Sequence, residues 1–216
     1  MRVAFFDLDH TLLSTDSNQL WFDYLREQGL LDEDALARHA AFIHDYHAGR
    51  LDFQGLHAFR QAVDASIAPQ RLRACRDAFN RERLLLAVAP GAPALLDTLR
   101  RDGMLTMVIS ASPEALVLPV ARHLGFEHVL AADSAAGRNL PAPCFGAGKV
   151  LHAKAALAAL GTSLGGLEQS RFYSDSHNDL PLLEAVQHPL AVDPDPVLAQ
   201  VARTRDWPVI SLRETA

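Results

Sequence analysis

Hydrophobic and polar positions follow two different rules along this chain, and the change between them divides it. The opening run Arg2-Val3-Ala4-Phe5-Phe6 stops at Asp7 and reads as a short buried strand. From Leu12 to about Val88 apolar residues instead recur at helical spacing, as Leu20, Trp21, Tyr24 and Leu25 do. Four helices are predicted there, near residues 17–28, 32–48, 52–66 and 69–86. Asp32 and Asp52 stand where N-caps belong, and Gly29 and Gly49 where helices stop. Ala87-Val88-Ala89-Pro90-Gly91 then breaks the pattern.

Beyond the break, helix and strand alternate. Strands are predicted at 104–109, 128–132, 171–174, 190–192 and 209–210, with helices at 93–101, 114–124, 149–160 and 180–186. The stretch 133–145, rich in Ala, Gly and Pro, reads as a hairpin or irregular excursion. Apolar strands alternating with helices predict an α/β fold, a Rossmann-like parallel sheet covered by helices on both faces. The all-helical block is then a cap inserted after the first strand. The core would span 1–13 and 88–216, and the cap 14–87.

Ligands of such sheets bind at the C-terminal ends of the strands, where this sequence concentrates its reactive side chains. Asp7 and Asp9 end the first strand, Ser110 follows the strand at 104–109, and Asp175 the strand at 171–174. Residues two apart on a strand share a face, so Asp7 and Asp9 can converge. Acids so placed repel unless a cation or proton lies between them, which suits a divalent metal. Taken singly, each residue has a plainer role: Asp9 or Ser110 as a helix N-cap, Asp175 and Asp179 as a loop acid and a helix-terminal charge. Their joint placement at strand ends favours chemistry.

Phosphoryl transfer needs a nucleophile, a proton donor, cationic charge and oriented hydrogen bonds. Asp7 would attack phosphorus to form an aspartyl phosphate. Asp9 would protonate the leaving oxygen and then activate water. Ser110 and the amide of Ala111 would bind the phosphoryl group, and Lys149 would neutralise it. Asp175 would share a Mg2+ ion with Asp7 and the Asp9 carbonyl, supported from behind by Asn178 and Asp179.

Composition narrows the picture. With 216 residues, 49% of them hydrophobic and 21% charged, the chain can bury a full core. A formal charge of −6 without a basic cluster argues against nucleic acid or an anionic membrane as partner. No apolar run is long enough to span a bilayer, the apolar start breaks at Asp7, and Cys75 and Cys144 look like reduced thiols. A cytoplasmic protein is expected. Of 20 basic residues, 18 are Arg and two are Lys, Lys149 and Lys154. A lysine that survives such a bias is a candidate for a task needing a compact ammonium, although two lysines can also fall together on a helix. Lys149, after Gly148 at a helix start, is the candidate, and Lys154 is expected to face solvent.

Asp7-Leu8-Asp9-His10-Thr11, Val108-Ile109-Ser110, Gly148-Lys149 and Ser174-Asp175-Ser176-His177-Asn178-Asp179 resemble the four motifs of haloacid dehalogenase (HAD) superfamily phosphatases. The resemblance covers the whole chain. The helical insertion resembles the cap of subfamily IB, the phosphoserine phosphatase-like group. Phe172-Tyr173-Ser174-Asp175, Asn178-Asp179-Leu180-Pro181-Leu182-Leu183-Glu184, Val192-Asp193-Pro194-Asp195-Pro196 and the closing Trp207–Arg213 stretch are similar to HAD-type histidinol-phosphate phosphatases. His10 stands where Gly is frequent, and Ser176-His177 where small residues are usual; both histidines read as loop side chains. His44 and His47 read as a solvated helix face.

The resemblance implies a Mg2+-dependent phosphomonoesterase acting on a small phosphorylated metabolite. Asp16, nine residues after Asp7, matches an acid that contacts the substrate ammonium in phosphoserine phosphatases, though it also stands where an N-cap would. An amino-bearing substrate such as histidinol phosphate or phosphoserine is expected. No single Arg stands out as a carboxylate clamp, which favours the carboxylate-free one. Other readings are a phosphotransferase or mutase using the same site, and a phospho-accepting signalling domain; the latter's length, lack of a cap and different Asp position fit poorly.

Overall fold

The structure, a computed structural model, describes residues 1–47, 50–134 and 140–214. The chain forms two compact units, Met1–Asp16 with the chain from Ala87 on, and Ser17–Leu86. The helix stop expected at Gly49, the end expected at Ala48, and residues 135–139 of the irregular stretch lie outside the described residues.

Strand β1 (Arg2–Phe6) opens the first unit, and its residues from Val3 to Phe6 are fully buried, as an apolar run between two layers requires. The second unit is all-helical: α1 (Ser17–Glu27), α2 (Glu33–His47), α3 (Phe53–Ser66) and α4 (Pro69–Phe79). Asp32 accepts the Ala35 amide at 2.8 Å and Asp52 accepts that of Gly55 at 3.0 Å, so both acids cap as their positions suggest. Gly29 takes the left-handed conformation that ends α1, at φ 64°. Aromatic rings fill this unit. Phe22 stacks on His39 at 3.9 Å and on Phe59 at 5.5 Å, and Trp21 meets Phe79 edge-on at 5.0 Å. The helix expected over 69–86 ends regularly at Phe79 and continues as tighter and wider turns to Ala87.

The rest of the first unit runs α5 (Ala92–Arg101), β2 (Leu105–Ile109), α6 (Glu114–His123), β3 (His128–Leu130), α7 (Ala147–Ala159), β4 (Gln169–Ser174), α8 (Leu180–Leu183), β5 (His188–Val192), α9 (Pro196–Thr204) and β6 (Val209–Ile210). The strands form one parallel sheet in the order β3-β2-β1-β4-β5-β6. In register, Phe5 lies between Met107 and Phe172. On one face Val3, Phe5, Met107, Ile109 and Phe172 pack with Ala153 and Leu157 of α7, Leu182 and Leu183 of α8, and Leu198 and Ala202 of α9. On the other, Phe6 stacks on Tyr173 at 4.4 Å and meets Phe126 edge-on, while α5 lies against β2. The fold class expected from the alternation is therefore observed, with helices on both faces.

Helix α9 departs from the sequence reading, which left 193–208 without an element. Its start is signalled by Asp195, whose side chain accepts the Leu198 amide at 2.7 Å, and by Pro196 in the first turn. Where the chain leaves and re-enters the first unit, the two passages pair. Leu13 bridges antiparallel to Val88, Ser14 N–H donates to the Ala87 carbonyl at 2.8 Å, and Ala89 N–H to that of Leu12 at 2.8 Å. A seventy-residue excursion therefore enters and leaves through a short hydrogen-bonded stem.

Candidate active site

A sheet ordered 3-2-1-4-5-6 reverses direction beside β1, and loops diverge there to leave a crevice at the strand ends. Asp7 emerges at that point from β1, Ser110 from neighbouring β2, and Asp175 from β4 on the other side. Asp7 is still anchored to the sheet, its N–H donating to the Tyr173 carbonyl at 2.9 Å. Asp9 is not on the strand. A single wide turn over Leu8–Leu12, closed by Leu13 N–H on the Leu8 carbonyl, carries it back toward Asp7. His10 sits in this turn at φ 55°, the left-handed region that glycine enters freely. That explains why Gly is frequent at the matching position of the resembled family.

Lys149 is the centre of the arrangement. Its ammonium donates to Asp7 Oδ1 at 2.7 Å and to Asp179 Oδ2 at 2.7 Å, and only 2% of the residue is exposed. The backbone delivers it there through two glycines. Gly146 (φ 53°, ψ −128°) precedes α7 in a conformation L-residues rarely adopt, and a Cβ on Gly148 would lie 1.8 Å from the Pro143 carbonyl oxygen. Asp179 is oriented in turn by Ser174, whose hydroxyl donates to Asp179 Oδ2 at 2.7 Å. Lys154, one turn further along α7, is exposed as expected.

The other expected residues have defined partners. Ser112 Oγ donates to Asp9 Oδ2 at 2.5 Å, and Ser112 N–H donates to Ser110 Oγ at 3.0 Å. Ser110 is buried and Ala111 half-buried, in the bend between β2 and α6. Thr11 Oγ1 donates to Asp175 Oδ1 at 3.2 Å and accepts the Asp175 N–H at 3.1 Å. Asn178 Nδ2 is buried and has no hydrogen-bond partner among the described residues. Asp16 stands half-buried immediately before α1. Thr11, Ser112, Ser174 and Asp195 carry contacts that the sequence reading left unassigned. Thr11, Ser174 and Asp195 lie within quoted motifs and Ser112 two residues beyond one, but no motif says which partner each side chain takes.

Charge in this crevice is unbalanced. Asp7 and Asp179 meet Lys149, and Asp9 and Asp175 lie within electrostatic reach of Asp7. Burial, opposed by Lys149 but aided by Asp179 and Asp9, pushes the Asp7 carboxyl up to about 7. Burial, then Asp7 and Asp179, hold the Asp175 carboxyl well above the usual carboxylate range. Burial would lower the Lys149 ammonium, yet Asp179 and Asp7 outweigh it and keep the ammonium charged. Among the described residues no three His, Cys, Asp or Glu side chains gather as a metal site. Two carboxylates, Asp7 and Asp175, could hold a metal ion, with the Asp9 main-chain carbonyl as the third donor expected from the sequence. This all-oxygen set, with its surplus of negative charge, fits a hard divalent cation.

The chain matches the haloacid dehalogenase-like hydrolase family model over residues 4–184. It is 32% identical to a histidinol-phosphatase of Neisseria meningitidis serogroup C over 98% of this chain and 99% of that protein. A protein of unknown function from Bordetella pertussis Tohama I superposes with a TM-score of 0.86 at 34% identity, covering 98% of each chain. The phosphoserine phosphohydrolase-like protein of Francisella tularensis SCHU S4 shares the fold, with a TM-score of 0.67 at 17% identity over 99% of this chain and 96% of that one. No helix among the described residues is long and apolar enough to cross a membrane. The protein belongs to the haloacid dehalogenase-like hydrolases and is a phosphatase of that family.

Proposed function

We propose that this protein is a Mg2+-dependent phosphomonoesterase that works through an aspartyl phosphate on a small amino-bearing metabolite. The observation that carries the reading is Lys149, buried and bridging Asp7 and Asp179 at 2.7 Å each. Lys149 engages Asp7 Oδ1, so Oδ2 would be the attacking oxygen. Its charge would also offset the phosphoryl oxygens as they approach a carboxylate. Asp7 Oδ2 forms the new bond to phosphorus as the bond from phosphorus to the leaving oxygen breaks, and Asp9 supplies that oxygen with a proton. Asp9 then takes a proton from water as the water attacks the aspartyl phosphate, releasing phosphate and restoring Asp7. Ser110 Oγ and the Ala111 amide would bind the phosphoryl group, with Ser112 holding Asp9.

Asp7, Asp175 and the Asp9 carbonyl would hold the Mg2+, and Asn178 and Asp179 would support them. When bound, the ion would neutralise phosphoryl charge and allow two carboxylates to ionise side by side. For the substrate, the histidinol-phosphatase relative supports a phosphorylated amino alcohol, and Asp16 is the residue proposed to read its ammonium. Purified protein should hydrolyse histidinol phosphate in preference to phosphoserine and neutral sugar phosphates, and EDTA should abolish this reversibly. Asp16→Asn should raise KM for histidinol phosphate and leave p-nitrophenyl phosphate nearly unchanged. Turnover that survives metal removal, or phosphoryl transfer to a second metabolite in place of water, would overturn the reading.

A further inference from the structure

The loop joining β4 to α8 carries Asp175, Asn178 and Asp179, yet its own regular structure is one short turn, His177–Asp179. It is held from outside by a residue eighteen positions further along the chain than His177. Asp195 N–H donates to the Asp175 carbonyl at 2.8 Å. Asp195 Oδ2 accepts both the His177 N–H and the His177 ring Nδ1, each at 2.7 Å. An ionised carboxylate only accepts, so Nδ1 carries the hydrogen. The other oxygen, Oδ1, accepts the Leu198 N–H and caps α9. The Asp195 carboxylate thus does two separable jobs, and the residue's two ties to the loop, its N–H on the Asp175 carbonyl and its Oδ2 on His177, fall on either side of Ser176.

We infer that Asp195, braced by the His177 ring, is a positioning residue that sets the Asp175 loop and thereby the affinity of the site for a divalent cation. The inference rests on the Mg2+ reading of Asp7 and Asp175. Thr11 holds the Asp175 side chain and amide from the β1 side, while Asp195 holds the Asp175 carbonyl and the next-but-one residue from the β5 side. A metal ligand fixed from both sides does not have to be ordered when the ion arrives, which is how supporting residues raise affinity. It also gives His177, which departs from the small residues usual at its position, a task apart from proton transfer.

The two jobs can be separated by substitution. Asn and Ser are both good N-caps and keep an oxygen for the Leu198 amide, whereas Ala loses the cap. None of the three retains a carboxylate oxygen for the two His177 donors. Mg2+ affinity of the full-length, metal-stripped protein is measured by calorimetry, and Tm is measured without metal. Asp195→Asn, Asp195→Ser and Asp195→Ala should all weaken Mg2+ binding, on the order of ten- to a hundredfold. Only Asp195→Ala should lower Tm appreciably. His177→Ala, which leaves the backbone tie, should give a smaller loss of affinity at unchanged Tm. Mg2+ affinity that follows Tm, falling in the Ala variant alone, would reduce Asp195 to a helix cap and overturn the inference, as would unchanged affinity in all variants. Asp175→Asn keeps the outcomes apart. If the wild type binds Mg2+ and Asp175→Asn does not, indifference to Asp195 defeats the clamp alone. If the wild type binds no Mg2+, the proposed function fails with it.

Discussion

In the helical unit the ion pairs lie where water reaches them, Arg83 with Glu27 and Arg50 with Asp45 both at 3.0 Å. In the α/β unit, Lys149 meets Asp7 and Asp179 with both pairs buried. The distances are alike, but the surroundings differ. Exposed pairs are screened and lose side-chain entropy, and contribute about 0–1 kcal/mol. Buried charges interact strongly but have given up hydration, so a site with more carboxylates than cations is costly to build. The helical unit buries aromatic and aliphatic side chains and leaves its charges near the surface. The α/β unit places uncompensated charge at the sheet's switch point, the place where a phosphoryl group and a metal could balance it.

The comparison can be broken most decisively at Asp7 and Asp175. Asp7→Asn and Asp175→Asn should each cut phosphatase turnover by several orders of magnitude in steady-state assays. Appreciable turnover by Asp7→Asn would mean that the buried carboxylates are not the machinery. The two lysines provide an internal contrast on one helix. Lys149→Ala should cost about 3 kcal/mol in kcat/KM, as for loss of a major electrostatic contact, and Lys154→Ala should be near neutral. Lys149→Arg should rescue little, because a planar guanidinium cannot take the place of a compact ammonium between Asp7 and Asp179.

The buried charge should also appear in stability. The Asp7 carboxyl is raised from the usual 3.8 to about 7, so the fold prefers it protonated. That contribution is fully present below about pH 4 and is lost as pH rises through 7. Without metal, the Tm of the wild type should therefore fall relative to Asp7→Asn between pH 5 and 8, by several degrees, in calorimetry at matched ionic strength. Mg2+ should reverse the loss in the wild type only. The smallest effect belongs to the helical unit. Arg83→Ala should change stability by less than about 1 kcal/mol in urea unfolding, and less still at high salt.

Much of this arrangement is legible from residue order. Apolar-leaning runs that stop at an acid or a serine identify β1 and β2, and the shorter Phe172-Tyr173 pair before Ser174 identifies β4, which places Asp7, Ser110 and Asp175 at strand ends, because strand ends in a parallel sheet are where such a run must meet solvent. The shortage of lysine singles out Lys149. The start of helix α9 is signalled too, by Asp195-Pro196, but in Asp193-Pro194-Asp195-Pro196 the same residue types also read as a turn, and the sequence reading misses the element. What residue order does not carry is the pairing of distant groups.

The sequence by itself determined the alternation of strand and helix, the insertion after β1, and which residue types stand at the strand ends, since all of these follow from local periodicity and backbone preference. Only the tertiary structure decided that Ser112 holds Asp9, that Thr11 holds Asp175, that Ser174 orients Asp179, and that Asp195 grips the loop at His177. It also showed that Asp9 reaches Asp7 by a wide turn with His10 at φ 55° rather than by strand periodicity. The physical reason is one of range. A helix or strand is chosen by interactions within a few residues, whereas a hydrogen bond between residues 103 or 164 positions apart exists only once the sheet has set the order of its strands.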